Sequence, residues 1–344
     1  RHLVLLALAL SASVAGAQET AVTPLFSNQE TLPVRIEAPL STLIKERSDT
    51  EYLDGAVTYT DAPGLEHRFD LKLRARGEYR RQRKTCDLPP IRLNFNKKQV
   101  MGTEFAGQDK LKLVTHCQNG RRLYEQYVLK EFLAYRIFNT MTGNSFRARL
   151  LSVDYVNTER DGETDTRYAF LIEDEDLLAE RIGAEVLKVP RISYSQLDAQ
   201  HAALVSVFEY LIGNTDYSLV VGARDEDCCH NAKLFAGESE GYLAIPYDFD
   251  FSGLVAASYA KPNPKLPITR VTRRLYRGVC VHNAQLDSAL AQFRDKEPEI
   301  RQLVASLEGL EEKIRSRAIE FIDGFYKDVS NQDSVDRHLV RKCL

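Results

Sequence analysis

Residues 69–73 (FDLKL), 91–95 (IRLNF) and 111–114 (LKLV) each alternate between apolar and polar side chains. Successive side chains of a β-strand point to opposite faces, so a period of two predicts strands that are buried on one face only. The same alternation is already present at 34–36 (VRI). We therefore predict an antiparallel sheet over residues 34–114.

Residues 121–139 (RRLYEQYVLKEFLAYRIFN) have helical periodicity instead, with an apolar stripe along one side. Glu131 lies in the middle of this stripe, where a carboxylate needs a partner. A nearby Arg or Tyr could supply it. Two further strands are predicted at 149–156 and 168–172, and the acidic stretch 173–176 (EDED) then connects the two halves of the chain.

The second half of the chain is predicted to be mostly helical, with helices at 196–212, 286–293 and 308–326. Strands followed by helices indicate an α+β protein with two lobes. The predicted division is a signal peptide at 1–17, a linker at 18–33, a β-rich N-terminal lobe with one long helix at 34–172, and a helical C-terminal lobe at 173–344.

The beginning of the sequence indicates export. An apolar run at 3–10 (LVLLALAL) is followed by Ala15-Gly16-Ala17, which is typical of a signal-peptide cleavage site. The run is too short to span a bilayer, which needs about 20 apolar residues. The predicted location is therefore periplasmic or extracellular, with no transmembrane segment.

Six cysteines support the same conclusion, because an even number in an exported chain favours disulfides. We predict a Cys86–Cys117 bridge and a pairing of Cys280 with Cys228 or Cys229. The composition is 44% hydrophobic and 28% charged, which suffices for a substantial core, and the net charge of −3 does not favour a nucleic-acid partner.

Three polar clusters follow the helix predicted at 196–212: Asn214-Thr215-Asp216, then His230-Asn231, then the sequence 246–250 (PYDFD). Phosphoryl transfer needs a carboxylate that orients a hydroxyl, together with carboxylate and amide oxygens that hold Mg²⁺ on the phosphates. The alternative is that Asp248 and Asp250 are ordinary turn and capping groups.

These clusters resemble the CotH-type spore-coat kinases and, more loosely, other atypical kinases of the secretory pathway. The resemblance covers about half the chain, and the matching pieces are 74–77 (RARG), Glu131, 172–174 (IED), Asn214 with Asp216, 230–231 (HN) and 246–250 (PYDFD). It implies a two-lobed protein-kinase-like fold that binds ATP with Mg²⁺ or Mn²⁺.

The resemblance also implies individual roles. Asp216 would be the catalytic carboxylate, and Asn231 and Asp248 would hold the metal, with Asp250 in reserve. Glu131 would pair with a phosphate-binding lysine, for which Lys112 is the first candidate and Lys110 the second.

Two departures from the family pattern concern the phosphate site. Leu88-Pro89-Pro90 stands where a Lys-Lys pair usually precedes the strand, and Arg76-Gly77 with the basic run 80–84 (RRQRK) replaces a glycine-rich loop. Arg76 could hold phosphates by charge. The run 80–84 could instead be a solvated loop.

Three functions remain open from the sequence. The first is an exported kinase acting on a protein or another hydroxyl-bearing acceptor. The second is a catalytically inactive binding or scaffold protein, and the third is a nucleotidyl transferase that uses the same site.

Overall fold

A computed structural model describes residues 23–223 and 226–344. The predicted signal peptide and the first part of the predicted linker lie outside the described residues. From residue 23 onward the linker region belongs to the fold, because Leu25 and Phe26 in the helical turn α1 (Pro24–Ser27) are buried against the first sheet.

The first half of the chain forms a closed barrel of seven strands in the order β1-β2-β3-β4-β5-β7-β6. The strands are β1 (Leu32–Ala38), β2 (Leu53–Thr60), β3 (Glu66–Ala75), β4 (Ile91–Phe95), β5 (Lys110–Val114), β6 (Ala148–Asn157) and β7 (Glu163–Ile172). The alternating pattern places side chains such as Leu73, Leu93 and Leu111 inside the barrel, where they are almost fully buried.

The predicted fold class, a two-lobed protein-kinase-like fold with an antiparallel N-terminal lobe, is wrong. β1 pairs in parallel with β6 along its whole length, from Leu32 opposite Leu151 to Ala38 opposite Asn157, and this pairing closes the sheet. The remaining neighbours in the barrel are antiparallel. Closure satisfies both edges of the sheet, which an open sheet would leave unpaired.

A second core lies outside the barrel and is mostly helical. It combines α3 (Arg122–Met141) with α5 (Ala199–Ile212) and the C-terminal helices. The other helices are α2 (Leu40–Glu46), α4 (Glu175–Ile182), α6 (Leu286–Asp295), α7 (Glu297–Ser306), α8 (Glu312–Asp328) and α9 (Gln332–His338). α3 precedes two barrel strands in the chain, yet its apolar side chains belong to this second core.

A small antiparallel sheet adjoins the second core, with the order β10-β9-β8. Its strands are β8 (Glu185–Leu187), β9 (Ala232–Ala236) and β10 (Leu243–Pro246). The pairing of β9 with β10 brings Ala232 opposite Pro246, so the residues just before β9 lie beside those just after β10.

Three disulfides connect all six cysteines. Cys86–Cys117 is confirmed. The predicted pairing of Cys280 with Cys228 or Cys229 is wrong, because Cys280 pairs with Cys343 and the two adjacent cysteines pair with each other. In the part of the chain that the structure describes, every helix is too short or too polar to cross a membrane. The three disulfides are consistent with an exported protein.

Helix α5 begins at a side-chain cap, which gives a first testable prediction. Asp198 accepts a hydrogen bond from the backbone N–H of His201 at 2.7 Å. Asp198→Ala should lower the free energy of unfolding by about 1 kcal/mol, because a backbone donor of the first turn loses its partner. Urea denaturation measures this loss. Asp287→Ala, at an exposed position in α6 without a capping bond, is the control and should change stability by less than about 0.5 kcal/mol.

Candidate functional site

The end of α5 fixes the position of Asp216. Gly213 terminates the helix with a left-handed backbone (φ 65°), and a Cβ at this position would lie 2.8 Å from the ring of Phe321. Both features favour glycine at this position. The chain then turns through Asn214, whose side-chain oxygen accepts a hydrogen bond from the backbone N–H of Asp216 at 2.9 Å.

The carboxylate of Asp216 is held by two neighbouring side chains. His230 Nε2 lies 3.1 Å from Oδ1, and Asn231 Nδ2 donates to Oδ2 at 3.2 Å. The hydrogen bond to Asp216 raises the pKa of His230 above its usual value. Asp216 remains 40% exposed. It is thus an oriented carboxylate that a hydroxyl-bearing molecule can reach.

Asn231 and Asp248 come together because β9 and β10 are paired. The backbone N–H of Tyr247 donates to the carbonyl of Asn231 at 3.0 Å. Both Asn231 (φ 51°) and Asp248 (φ 66°) have left-handed backbones. Such conformations are uncommon outside glycine and occur often at functional sites. The backbone of Asp248 is held there by a hydrogen bond from its N–H to the hydroxyl of Tyr135.

Asp216, Asn231, Asp248 and Asp250 therefore line a single cavity of about 340 Å³, together with His230 and Cys229. We call it the acidic cavity. The four residues are separated by up to 34 positions in the sequence, and the loop after α5 and the β9–β10 pair bring them to the same place.

Arg80 reaches the acidic cavity and neutralises part of its charge. Its guanidinium contacts Glu131 at 2.9 Å, Asp248 at 3.1 Å and Asp250 at 3.3 Å. Burial raises the pKa of Glu131 and of Asp250, and the charge of Arg80 opposes this rise. Arg80 is itself buried, so the interpretation of residues 80–84 as a solvated loop is wrong for Arg80.

This arrangement corrects two expected roles. Glu131 pairs with Arg80 rather than with Lys112 or Lys110. Asp250 is 6% exposed and is bonded to both Arg80 and the hydroxyl of Tyr259, at 3.0 Å. Its buried carboxylate already has two partners inside the protein. Asp250 is therefore better suited to hold Arg80 in place than to bind a metal ion.

A row of three cations crosses the outside of the barrel. The register of β3, β4 and β5 places Arg74 opposite Arg92 and Arg92 opposite Lys112. Like charges directly opposite each other on a sheet face are destabilising. In addition, the Nε atoms of Arg74 and Arg92 are buried without a hydrogen-bond partner among the described residues. The row therefore concentrates positive charge on one face of the barrel.

The cation row lines a cavity of about 760 Å³, the cationic cavity, to which Arg76, Lys110 and Lys233 also contribute. Carboxylates from the start of α4 offset part of its charge: Asp174 lies 3.8 Å from Arg92 and Glu175 lies 3.4 Å from Lys233. The residues predicted to form only a connecting acidic segment are thus part of a site.

Lys112 is buried in this cavity, with its ammonium 4.6 Å from the centre of the Tyr247 ring. Among the described residues it has no carboxylate within ion-pair distance. Burial, reinforced by Arg76, lowers the pKa of Lys112 to about 7. An anion placed beside it would restore the charged form.

Arg76 and Tyr247 line both the cationic and the acidic cavity, as do Gly77 and Glu78. The two cavities are therefore adjacent parts of one groove. The charge changes along it, from the cation row at one end to Asp216, Asp248 and Asn231 at the other.

The donor set of the acidic cavity suits a hard cation only if other ligands complete the coordination shell. In residues 23–223 and 226–344 no group of three or more His, Cys, Asp or Glu is arranged as metal ligands. Asp248 is 34% exposed, and the nitrogen of Asn231 is engaged by Asp216, which leaves its oxygen as the ligand atom. One carboxylate and one amide oxygen fit Mg²⁺ or Mn²⁺, because such ions retain waters and take phosphate oxygens.

Four participants in the groove were not identified from the sequence as site residues: Arg80, His230, Arg92 and Tyr247. Arg92 could have been found, since it alternates in phase with Arg74 and Lys112 on neighbouring predicted strands. Arg80 could not, because its partners lie 51, 168 and 170 positions away.

No protein-family model matches this chain, and no curated protein is significantly similar to it in sequence.

Proposed function

We propose that this protein is an exported phosphotransferase that moves the terminal phosphoryl group of a nucleoside triphosphate, ATP in the first instance, to a hydroxyl-bearing acceptor. The observation that supports the proposal most directly is the continuity of the groove. The cationic cavity, which we propose for the polyphosphate, and the acidic cavity, which we propose for the general base, are both lined by Arg76 and Tyr247.

The cation row is suited to the phosphates. Arg74, Arg92 and Lys112 present positive charge on one face at strand spacing, and the Nε atoms of Arg74 and Arg92 are buried without a hydrogen-bond partner in the described part of the chain. Arginine binds phosphate oxygens in pairs, and lysine binds them as a point charge. Arg76 would then lie close to the phosphoryl group that is transferred.

Asp216 would accept the proton of the acceptor hydroxyl. As that oxygen forms a bond to the terminal phosphorus, the bond from this phosphorus to the bridging oxygen breaks, and the nucleoside diphosphate leaves with the electron pair. Bound by Asn231 and Asp248, Mg²⁺ or Mn²⁺ would neutralise developing charge on the phosphates.

The setting of this activity would be the periplasm or the cell exterior. Disulfides persist in such oxidising compartments. The acceptor would then be a protein, glycan or other hydroxyl compound of the same compartment.

One observation favours a second candidate, a nucleotide-binding protein without catalysis. The guanidinium of Arg80 already contacts Asp248, at 3.1 Å, and Asp250, at 3.3 Å. It therefore supplies positive charge close to the position of the metal. Binding and transfer need separate experiments.

Binding is tested by thermal and urea unfolding of the mature chain with ATP and Mg²⁺ or Mn²⁺. A ligand at 100 times its dissociation constant should stabilise the protein by about 2.7 kcal/mol. Lys112→Met should abolish this gain without destabilising the protein alone, because Lys112 is buried and no carboxylate of the described residues lies within ion-pair distance of it. Lys72→Met is the control, since Lys72 lies on β3, two residues from Arg74, and is 63% exposed. If no nucleotide with either metal stabilises the protein, the proposal fails.

Transfer is tested with ATP labelled at the γ or the α phosphorus. The wild type should transfer the γ label, and Asp216→Asn should reduce transfer by about 100-fold or more while nucleotide binding persists. Binding without transfer would establish the non-catalytic alternative. Transfer of the α label would identify a nucleotidyl transferase instead.

A further inference from the structure

A third cavity, of about 870 Å³, lies at the end of the barrel where β1, β3, β5 and β6 finish and β4 and β7 begin. We call it the barrel-end cavity. It shares no lining residue with the acidic or the cationic cavity. Barrel mouths are common positions for small-molecule sites, and the volume is within their usual range.

Two buried polar side chains, His116 and Tyr155, line this cavity, and their rings are in edge-to-face contact at 5.5 Å. His116 is 2% exposed and Tyr155 is 3% exposed. Within the described residues, neither Nδ1 of His116 nor the hydroxyl of Tyr155 has a hydrogen-bond partner. Buried polar atoms in folded proteins are nearly always paired, with protein groups or with a bound molecule, so two unpaired atoms at one place point to a bound molecule there.

The chemistry of the two atoms is complementary. Nε2 of His116 is 2.8 Å from Oδ1 of Asn119, an acceptor, so Nε2 carries the proton and Nδ1 is an acceptor. Burial lowers the pKa of His116, which keeps the ring neutral, although Asp165 lies 4.0 Å from Nε2. Tyr155 supplies an O–H donor. A single hydroxyl of a ligand satisfies both, by accepting from Tyr155 and donating to His116.

The rim of the cavity is positively charged. Arg160 and Arg167 pair with Glu163 and Asp165. Lys45 and Arg83, by contrast, are exposed and have no carboxylate within ion-pair distance among the described residues. The guanidinium of Arg83 donates to the backbone carbonyl of Lys45, which places the two cations side by side at the rim.

We propose that the barrel-end cavity binds an anionic sugar, with one hydroxyl between Tyr155 and His116 and the charged group at Lys45 and Arg83. A sugar hydroxyl both donates and accepts hydrogen bonds. The charged group is either a phosphate or a carboxylate, since both suit exposed Lys and Arg. This site is independent of the phosphotransferase proposal.

Isothermal titration of the mature chain with glucose 6-phosphate, glucuronate, glucose and inorganic phosphate tests the proposal. We expect at least one of the two anionic sugars to bind at concentrations up to about 10 mM, where even a millimolar site is filled. Glucose and inorganic phosphate should each bind at least about tenfold more weakly, because glucose lacks the charged group and inorganic phosphate lacks the sugar hydroxyl. Which sugar binds better identifies the charged group. If neither anionic sugar binds, or if phosphate alone binds equally well, the proposal is wrong.

Tyr155→Phe should weaken binding of the anionic sugar about tenfold and should leave the melting temperature of the free protein unchanged or raised, because it removes only an unpaired hydroxyl. Tyr210→Phe is the matched control. Its hydroxyl is bonded to Asp328 at 2.9 Å, so this variant should lower the melting temperature and leave sugar binding unchanged. A lowered melting temperature for Tyr155→Phe, without loss of binding, would show that a structural water holds the hydroxyl and would overturn the proposal.

Discussion

Arg80→Met is expected to lower the free energy of unfolding by about 3–5 kcal/mol at pH 7, a cost typical of breaking a buried ion pair by removing one partner. Arg80 contacts Glu131, Asp248 and Asp250, and two of these carboxylates are almost fully buried. Without the guanidinium they repel each other in a medium that solvates them poorly. Urea denaturation monitored by circular dichroism measures the loss.

The pH dependence of this loss has a definite sign. Burial already raises the pKa of Glu131 and of Asp250, and removal of Arg80 raises both further. A carboxyl group whose pKa is higher in the folded state destabilises that state when it is ionised, and the penalty vanishes below its unfolded pKa, near pH 4. The deficit of Arg80→Met relative to the wild type should therefore shrink between pH 7 and pH 4.

Lys84→Met is the control for this experiment. It removes the same charge from the same loop at an exposed position and should change stability by less than about 0.5 kcal/mol. Equal losses for the two variants, or a deficit for Arg80→Met that does not depend on pH, would contradict the role assigned to the buried cluster.

The Arg80 cluster also illustrates what sequence alone could reveal about the site. Helical periodicity correctly indicated that Glu131 faces the interior and needs a partner, and an Arg was among the partners considered. A basic run such as 80–84 is usually solvated, however, and nothing in its local sequence distinguishes Arg80 from Arg81. The distinction depends on how the β3–β4 connection folds over α3 and β10, which is a tertiary property.

For the fold, local signals identified most elements. The helix predicted at 121–139 is α3 (Arg122–Met141), and the strand predicted at 149–156 is β6 (Ala148–Asn157). The closure of the barrel was not predicted, because alternation gives the faces of a strand but not its neighbours. The parallel pairing of β1 with β6 joins segments more than 110 residues apart, and no turn signal records it.

The disulfides also show that local sequence does not reveal which distant segments pack together. Cys86 and Cys117 flank consecutive strands of the predicted antiparallel sheet, and the predicted bridge between them is confirmed. Cys343 lies only one residue from the end of the sequence, and its pairing with Cys280 depends on how the C-terminal helices pack. Sequence spacing contains no information about that packing.

Removal of the Cys86–Cys117 bridge by a Cys86→Ala, Cys117→Ala double substitution is expected to cost about 3–4 kcal/mol of unfolding free energy. The bridge spans 31 residues, and the chain-entropy model assigns a cross-link of this span a stabilisation of that size, through the reduced freedom of the unfolded chain. It also joins the connection that carries Arg80 to the segment leading into α3. Urea denaturation under non-reducing conditions measures the cost.

The adjacent pair Cys228–Cys229 provides the comparison, because it joins consecutive residues and closes almost no loop. Its replacement by two alanines should cost less than about 1 kcal/mol on the same reasoning. If the Cys86–Cys117 variant also loses less than about 1 kcal/mol, side-chain contacts must hold the β3–β4 connection: the ion pairs of Arg80, and Arg47, whose guanidinium donates to the carbonyls of Arg81 and Asp87 at 2.9 and 2.6 Å. In that case Arg47→Met should destabilise the protein more than the Cys86→Ala, Cys117→Ala variant does. If the disulfide contributes more, Arg47→Met should destabilise the protein less than that variant.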